Sequence, residues 1–202
     1  MKEPFSLLSL TEPVFKTIID TYGLPTIPTR PEGFETLVLL ILEQQVSIDS
    51  AKAAFLKLKT AVSTITPHNC SNLSDEQFRT AGISRQKTTY IKALSVAILS
   101  GTLILEELKA LTPDEVRQKL IKIKGIGNWT IDIYLMFSLQ DPDLLPLGDI
   151  AVVNTMKELF EIHEKQEMEF LAQSWAPYRS FATYLLWHHY LCTRNRKVTY
   201  NP

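Results

Sequence analysis

Two glycines flank a single isoleucine in Gly125-Ile126-Gly127, and Lys119, Lys122 and Lys124 precede them closely. Glycine has no Cβ, so such a turn leaves backbone N–H groups accessible at the start of the next helix, where the helix dipole also favours an anion. The nearby lysines add positive charge. The pattern is typical of a phosphate-binding hairpin, although two glycines alone are more often an ordinary corner between helices.

Asp149 is the second candidate for chemistry. It follows Gly148 and precedes an apolar segment that starts at Ile150, which makes it a natural N-cap residue. Most N-cap aspartates only stabilise their helix. However, the helix dipole also stabilises the charged carboxylate, and a group that faces a developing cation needs that charge.

Helices must position both candidates. Thr112 and Pro113 indicate the start of a helix that leads into the hairpin, and apolar residues at helical spacing indicate a second helix after it. Helices are predicted over residues 12–22, 31–45, 47–62, 75–81, 85–100, 104–108, 113–121, 128–139, 150–161, 164–173 and 177–192. We therefore expect an all-α protein with two helical lobes and a central cleft.

The composition of the 202-residue chain limits the alternatives. Hydrophobic residues make up 45% of the chain, enough for a packed core, and they are too evenly interrupted for a membrane span. The net charge of −1 does not indicate a nucleic-acid binder, although the basic residues are grouped. Two cysteines cannot form a four-cysteine zinc or iron–sulfur site. The first residues contain prolines and acids rather than a signal peptide's apolar run, so we expect a cytoplasmic protein.

Five segments in order resemble one known family. They are ILEQQVS (41–47), GISRQK (82–87), KGIGNWT (124–130), LPLGD (145–149) and WAPYRSFATYLLW (175–187). Together they resemble the helix–hairpin–helix (HhH-GPD) DNA glycosylase superfamily, and most of all its AlkA-like DNA-3-methyladenine glycosylases. The resemblance implies a single glycosylase unit over 1–202. One lobe would hold both chain ends (about 1–35 and 140–202), and the other would hold the hairpin (about 36–139).

The resemblance also implies an activity, the excision of alkylated purines by base flipping and hydrolysis of the N-glycosidic bond. Asp149 would be catalytic, and the base pocket would contain Trp129, Ile133, Ala151 and Trp187. Related enzymes that also nick DNA place a lysine where this chain has Trp129, so we expect a monofunctional enzyme without lyase activity. Ile133 stands where bacterial relatives often have a tyrosine, which implies a shifted substrate range.

The expected partner is double-stranded DNA with a damaged base, bound by a monomer. By resemblance, the DNA-binding residues would be Gln44, Gln45, Ser47, Arg85, Lys87, Lys124, Gly125, Gly127 and Asn128. Among them, Gln45 is the better candidate for the wedge that fills the gap left by the flipped base. No iron–sulfur cluster is expected. A Na⁺ or K⁺ ion at the hairpin would use the backbone carbonyls of Ile121, Ile123 and Ile126.

Two other functions remain open. The first is a non-catalytic helix–hairpin–helix protein that binds DNA structure, which would need the hairpin but not Asp149. The second is a related glycosylase for other damaged bases, such as oxidised or mismatched ones. Trp129 in place of a lysine and the absence of a cysteine cluster argue against the second.

Overall fold

The computed structural model describes residues 2–201, and no residue in that range belongs to a β-strand. Met1 and Pro202, the ends of the expected single unit, lie outside it. Helices α1 to α12 are, in order, Lys2–Thr11, Pro13–Tyr22, Phe34–Glu43, Ile48–Val62, Pro67–Asn72, Asp75–Thr80, Arg85–Leu99, Pro113–Leu120, Asn128–Phe137, Ile150–Phe160, Lys165–Leu171 and Arg179–Thr193. Two 3₁₀ helices cover Leu105–Ala110 and Ala172–Trp175. The all-α class with a helix–hairpin–helix motif is confirmed.

Side-chain caps explain several helix starts. The hydroxyl of Ser84 accepts a hydrogen bond from the Lys87 N–H group at the start of α7. At the start of α8, the Thr112 hydroxyl accepts from the Glu115 N–H group, and the Glu115 carboxylate accepts from the Thr112 N–H group. Each such cap contributes about 1 kcal/mol to helix stability. The residue types next to these helix starts therefore determine where the helices begin.

The structure differs from the sequence expectations at several helices. Helices α1 and α5 were not predicted; each is short and carries a proline in its first turns, where it costs no hydrogen bond. Helix α3 starts at Phe34 instead of residue 31. Gly33, its N-cap residue, has a φ of 115°, which is not a helical conformation, so the helix cannot begin earlier. The segment predicted as a helix over 104–108 is a 3₁₀ helix over Leu105–Ala110.

The chain divides into two compact units. Unit 1 contains Met1–Thr29 and Gln140–Val198, and unit 2 contains Arg30–Leu139 and Thr199–Pro202. In unit 1, Phe15 lies edge-on to Trp175, with ring centroids 5.0 Å apart, and Phe160 completes the aromatic cluster. The Phe15 side chain is 0% exposed and that of Trp175 is 1% exposed. These rings join the first helices to the last ones within unit 1.

Unit 2 is organised around α3, whose residues are all buried except Glu35. A buried ion pair lies at its end, where the Arg30 guanidinium donates two hydrogen bonds to the Glu43 carboxylate, at 2.7 and 2.8 Å. Arg30 also donates to the backbone carbonyl of Tyr200 at 2.7 Å. The last described residues of the chain are thus attached to unit 2. None of the described helices is both long and apolar enough to cross a bilayer.

Candidate active site

The carboxylate of Asp149 is held by three donors in unit 1. Its Oδ1 atom accepts hydrogen bonds from the N–H groups of Ala151 at 2.9 Å and Val152 at 3.1 Å, so Asp149 is the N-cap of α10. The indole N–H group of Trp187 in α12 donates to the same oxygen at 3.1 Å. Three converging donors fix the orientation of this carboxylate, which is half-buried.

Trp187 lies near the middle of α12 and is 8% exposed. Its ring and that of Tyr184 have centroids 6.1 Å apart at 40°. Tyr184 is 4% exposed and also contacts the Phe181 ring edge-on. The aromatic residues of α12 therefore belong largely to the core of unit 1, and the indole nitrogen of Trp187 reaches Asp149.

The hairpin between α8 and α9 lies in unit 2. The N–H group of Ile123 donates to the Leu120 carbonyl, and that of Ile126 donates to the Ile123 carbonyl, each at 3.0 Å. Gly125 has a φ of 91°, and a Cβ placed there would lie 2.0 Å from the Tyr90 ring. Glycine is therefore required at position 125 by its backbone conformation and by the aromatic ring that packs on it.

The second glycine of the hairpin has a different role. Gly127 has an extended backbone, with φ −103° and ψ 177°, and is the N-cap of α9 without a side chain to cap it. It is exposed, as are Lys124 and Asn128 beside it. A helix N-terminus next to an exposed cation has a geometry that suits a phosphate group.

Gln44 links the end of α3 to the hairpin. Its amide nitrogen donates to the Gly125 carbonyl at 2.8 Å and to the Thr130 hydroxyl at 3.0 Å. Gln44 was predicted to bind DNA. In this structure its amide lies on the hairpin backbone, where it positions Gly125 relative to the corner between α3 and α4, and the contact of Gln44 with DNA stays a prediction.

The neighbouring residues of that corner are exposed. Gln45 has a φ of 58°, an uncommon value for a residue with a side chain, and it is exposed. Ser47 is exposed as well, and its hydroxyl accepts from the Ser50 N–H group as the N-cap of α4. The predicted wedge position thus presents an accessible side chain on a constrained backbone.

The two predicted basic contacts at the start of α7 differ. Arg85 is exposed. Lys87 is half-buried, and its ammonium group donates to the Leu42 carbonyl in the last turn of α3 at 2.7 Å. Partial burial lowers the pKa of Lys87. The Lys87 ammonium therefore binds a helix C-terminus in this structure, whereas the Arg85 side chain lies at the surface.

An ion pair that the sequence analysis did not identify connects α8 and α9. Arg117 donates to the Asp132 carboxylate at 2.5 Å and to the Asn128 side-chain oxygen at 3.1 Å. Asp132 is 8% exposed, and its burial raises the pKa of the carboxyl group, although Arg117 opposes that rise. The two residues are 15 positions apart across the hairpin, so no helical spacing could have revealed the pair.

The remaining predicted pocket residues are divided between the units. Trp129 and Ile133 belong to α9 of unit 2, where Trp129 is half-buried and Ile133 is 3% exposed. Ala151 is in unit 1, beside Asp149, and is half-buried. Unit 1 therefore brings together Asp149, Ala151 and Trp187, while unit 2 brings together the corner after α3 and the hairpin.

The predicted cation ligands lie in one short stretch of unit 2. Ile121 is the C-cap residue of α8, and Ile126 is 3% exposed inside the hairpin. The Ile123 carbonyl already accepts one hydrogen bond, from Ile126. A carbonyl oxygen has two lone pairs, so this group can still contribute to a monovalent ion.

Known proteins share sequence with this chain over the range that contains the hairpin and Asp149. A family model described as the HhH-GPD superfamily base excision DNA repair protein matches residues 38–179. The Bacillus subtilis protein YfjP is 36% identical over 124 residues, which is 60% of this chain but only 43% of YfjP.

Two solved structures cover nearly the whole chain. The DNA-3-methyladenine glycosidase of Bacillus halodurans has a TM-score of 0.80 and 32% identity, covering 94% of this chain and 89% of its own. The Schizosaccharomyces pombe 3-methyladenine DNA glycosylase Mag1, in complex with abasic DNA, has a TM-score of 0.82 and 25% identity, covering 95% and 97%. With its hairpin and its helix-capping Asp149 inside the matched range, this chain belongs to the HhH-GPD superfamily of base excision DNA repair proteins.

Proposed function

We propose that this protein is a monofunctional DNA glycosylase that removes alkylated purines, of the 3-methyladenine and 7-methylguanine type, from double-stranded DNA. The observation that carries the proposal is the Asp149 carboxylate, fixed by two backbone N–H groups and the Trp187 indole. The two backbone bonds would serve any N-cap aspartate, whereas the indole bond from Trp187, in another helix, is not needed for capping and supports a further role for the carboxylate. The names of the similar proteins support the choice of substrate.

The reaction breaks the bond between the base and deoxyribose C1′. The enzyme first turns the base out of the duplex, at a cost of a few kcal/mol. Positive charge then develops on the sugar, and Asp149 stabilises that charge and orients the water that adds to C1′. The free base leaves, and the DNA retains an abasic site.

The absence of lyase activity follows from the residues of α9. A lyase needs an amine that attacks C1′ and forms an imine with the sugar. Helix α9 has the sequence NWTIDIYLMF, which contains no lysine, and Trp129 is its second residue. An indole cannot form an imine, so the strand stays intact.

The preference for alkylated purines follows from charge. Methylation at N3 or N7 makes the base cationic and a better leaving group, so no strong general acid is required. The electron-rich face of an indole attracts such a cation by about 0.5–2 kcal/mol. Trp129 and Trp187 would provide these faces, and Ile133 in place of an aromatic residue would change which bases are accepted.

The duplex is bound through phosphate contacts. Gly125 and Gly127 form the hairpin, and exposed Lys124 and Asn128 lie beside it. A second set of DNA contacts would come from Arg85, Gln45 and Ser47. Of these, Gln45 would be the wedge at the lesion. A Na⁺ or K⁺ ion on the carbonyls of Ile121, Ile123 and Ile126 would add charge near the phosphate. The protein acts on DNA inside the cell, as a monomer and without an iron–sulfur cluster.

The test is the release of 7-methylguanine and 3-methyladenine from methylated duplex DNA at excess enzyme. We expect release by the wild type and a loss of about 100-fold or more with Asp149→Asn. Asp20→Asn is the matched control, because Asp20 is in unit 1 and, within residues 2–201, its carboxylate pairs only with the exposed Lys16. The product strand should break only after alkaline treatment, and borohydride should trap no covalent complex. Binding of methylated DNA without release of any base would contradict the proposal.

A further inference from the structure

The irregular segment between α9 and α10 carries a second aspartate, Asp143, six residues before Asp149. Asp143 makes three hydrogen bonds to one residue of α12. Its Oδ1 atom accepts from the Arg179 backbone N–H group at 3.1 Å and from Arg179 Nε at 2.8 Å, and its Oδ2 atom accepts from Arg179 Nη2 at 2.8 Å. A bidentate guanidinium–carboxylate pair has one defined geometry.

Further bonds attach the same segment to the first turns of α12. The Ser180 N–H group donates to the Pro142 carbonyl at 3.0 Å, and the Leu144 N–H group donates to the Ser180 hydroxyl at 3.0 Å. The Thr183 hydroxyl lies 3.3 Å from the Leu144 carbonyl. Ser180 and Thr183 are both 0% exposed. These bonds are buried on the α12 side, so the segment cannot slide along the helix without leaving polar groups unpaired.

The other end of the segment is attached to the same helix. Trp187, which bonds Asp149, lies eight residues after Arg179, about 12 Å further along α12 at 1.5 Å per residue. The stretch from Asp143 to Asp149 thus has both ends fixed on one rigid element. A shift at Asp143 would be transmitted to the carboxylate at Asp149.

We infer that Asp143, through its pair with Arg179, is a positioning residue that sets the location of the Asp149 carboxylate. The inference rests on the proposed catalytic role of Asp149. Asp143 acts through Asp149 and does not itself contact the substrate. It fixes the start of the segment, and the Trp187 indole fixes the end.

A purely structural role is the alternative, because Asp143 also caps α12. The N-cap residue of that helix, Tyr178, supplies no side-chain hydrogen bond, and Asp143 satisfies the Arg179 N–H group in its place. The variant Asp143→Asn addresses this alternative, since its amide oxygen can still accept from that N–H group. What the variant loses is the bidentate ion pair.

A double-mutant cycle tests the inference through the release of alkylated base at saturating enzyme. We expect Asp143→Asn to lower the single-turnover rate about 10- to 100-fold, as misplacement of a reacting group does, with affinity for an abasic duplex changed less than about threefold. In the Asp149→Asn background, the same substitution should change the rate less than about threefold, because residues that act as a unit are not additive. Asp20→Asn should leave every rate unchanged.

Equal losses in the two backgrounds would overturn the inference, because a general effect on folding does not require Asp149. A full rate in Asp149→Asn would instead remove the proposed catalytic role, whatever Asp143 does. The cycle therefore separates the two failures.

A second measurement does not depend on activity. The Trp187 indole N–H resonance, assigned with Trp187→Phe, should exchange with solvent at least about fivefold faster in Asp143→Asn if its hydrogen bond to Asp149 loosens. The buried Trp175 indole in the same unit should not change. An unchanged Trp187 resonance and exchange rate would refute the positioning role even if the chain released none of the tested bases.

Discussion

Gly125→Ala is the substitution whose cost can best be worked out from the structure. The φ of 91° places position 125 in a region that is strained for any residue with a Cβ, at about 1–2 kcal/mol. The new Cβ would also lie 2.0 Å from one Tyr90 ring carbon and 2.4 Å from two others, so the ring must move by more than an ångström. Overpacking of this kind costs about 1–3 kcal/mol.

We therefore expect Gly125→Ala to lower the free energy of unfolding by about 2–5 kcal/mol, the sum of both effects. Gly127→Ala is the matched control. It lies two residues away, has a φ of −103°, and its Cβ would meet nothing within 4 Å. Its cost should be below about 1 kcal/mol.

Urea unfolding followed by tryptophan fluorescence measures both variants under the same conditions. Adding Tyr90→Ala to Gly125→Ala should recover the part of the lost unfolding free energy that comes from the contact with the ring. It should not recover the part that comes from the strained φ at position 125. If Gly125→Ala and Gly127→Ala differ by less than about 1 kcal/mol, the packing of Tyr90 against the hairpin does not constrain position 125.

Two further predictions concern other contacts of the same hairpin. Because burial raises the pKa of Asp132 above its value of 3.8 in the unfolded chain, its contribution favours folding at low pH and is lost as the pH rises through the folded pKa. The unfolding free energy of the wild type, measured from pH 3 to pH 7, should therefore fall relative to that of Asp132→Asn, and parallel curves would contradict the assignment. Gln44→Ala removes the donor shared by Gly125 and Thr130, so it should cost about 1–3 kcal/mol and weaken binding to abasic duplex DNA in a fluorescence anisotropy titration. Unchanged stability with weaker binding would indicate that Gln44 contacts DNA directly instead.

The sequence predicted the features that depend on local residue types. Thr112 beside Pro113 indicated a helix start, Asp149 before an apolar segment indicated an N-cap, and each was found capping its helix. The helical spacing of apolar residues likewise predicted the all-α class. Boundaries were less certain where glycine or proline stands near a helix end, as at Gly33.

Contacts between distant residues could not be predicted. Lys87 was expected to bind DNA, and no local pattern indicated the bond that its ammonium group makes in this structure to the carbonyl of Leu42, 45 positions earlier. Likewise, the pair of Arg117 with Asp132 and the bonds of Gln44 to the hairpin depend on how helices pack. A single sequence shows the type of a polar side chain but not the group it will meet.

The way the chain passes between the two units affects how it can fold during synthesis. Unit 2 is almost one continuous stretch, Arg30–Leu139, whereas unit 1 combines Met1–Thr29 with Gln140–Val198. Phe15 can meet Trp175 only after 160 further residues have been made, so the apolar side of α2 leaves the ribosome without its partners. Unit 2 can become compact first, because domains fold as units in the order of synthesis. Helix α12, which carries Trp187, is made after the whole stretch Arg30–Leu139, so the carboxylate of Asp149, the proposed catalytic group, should reach its place only after most of unit 2 is available to fold.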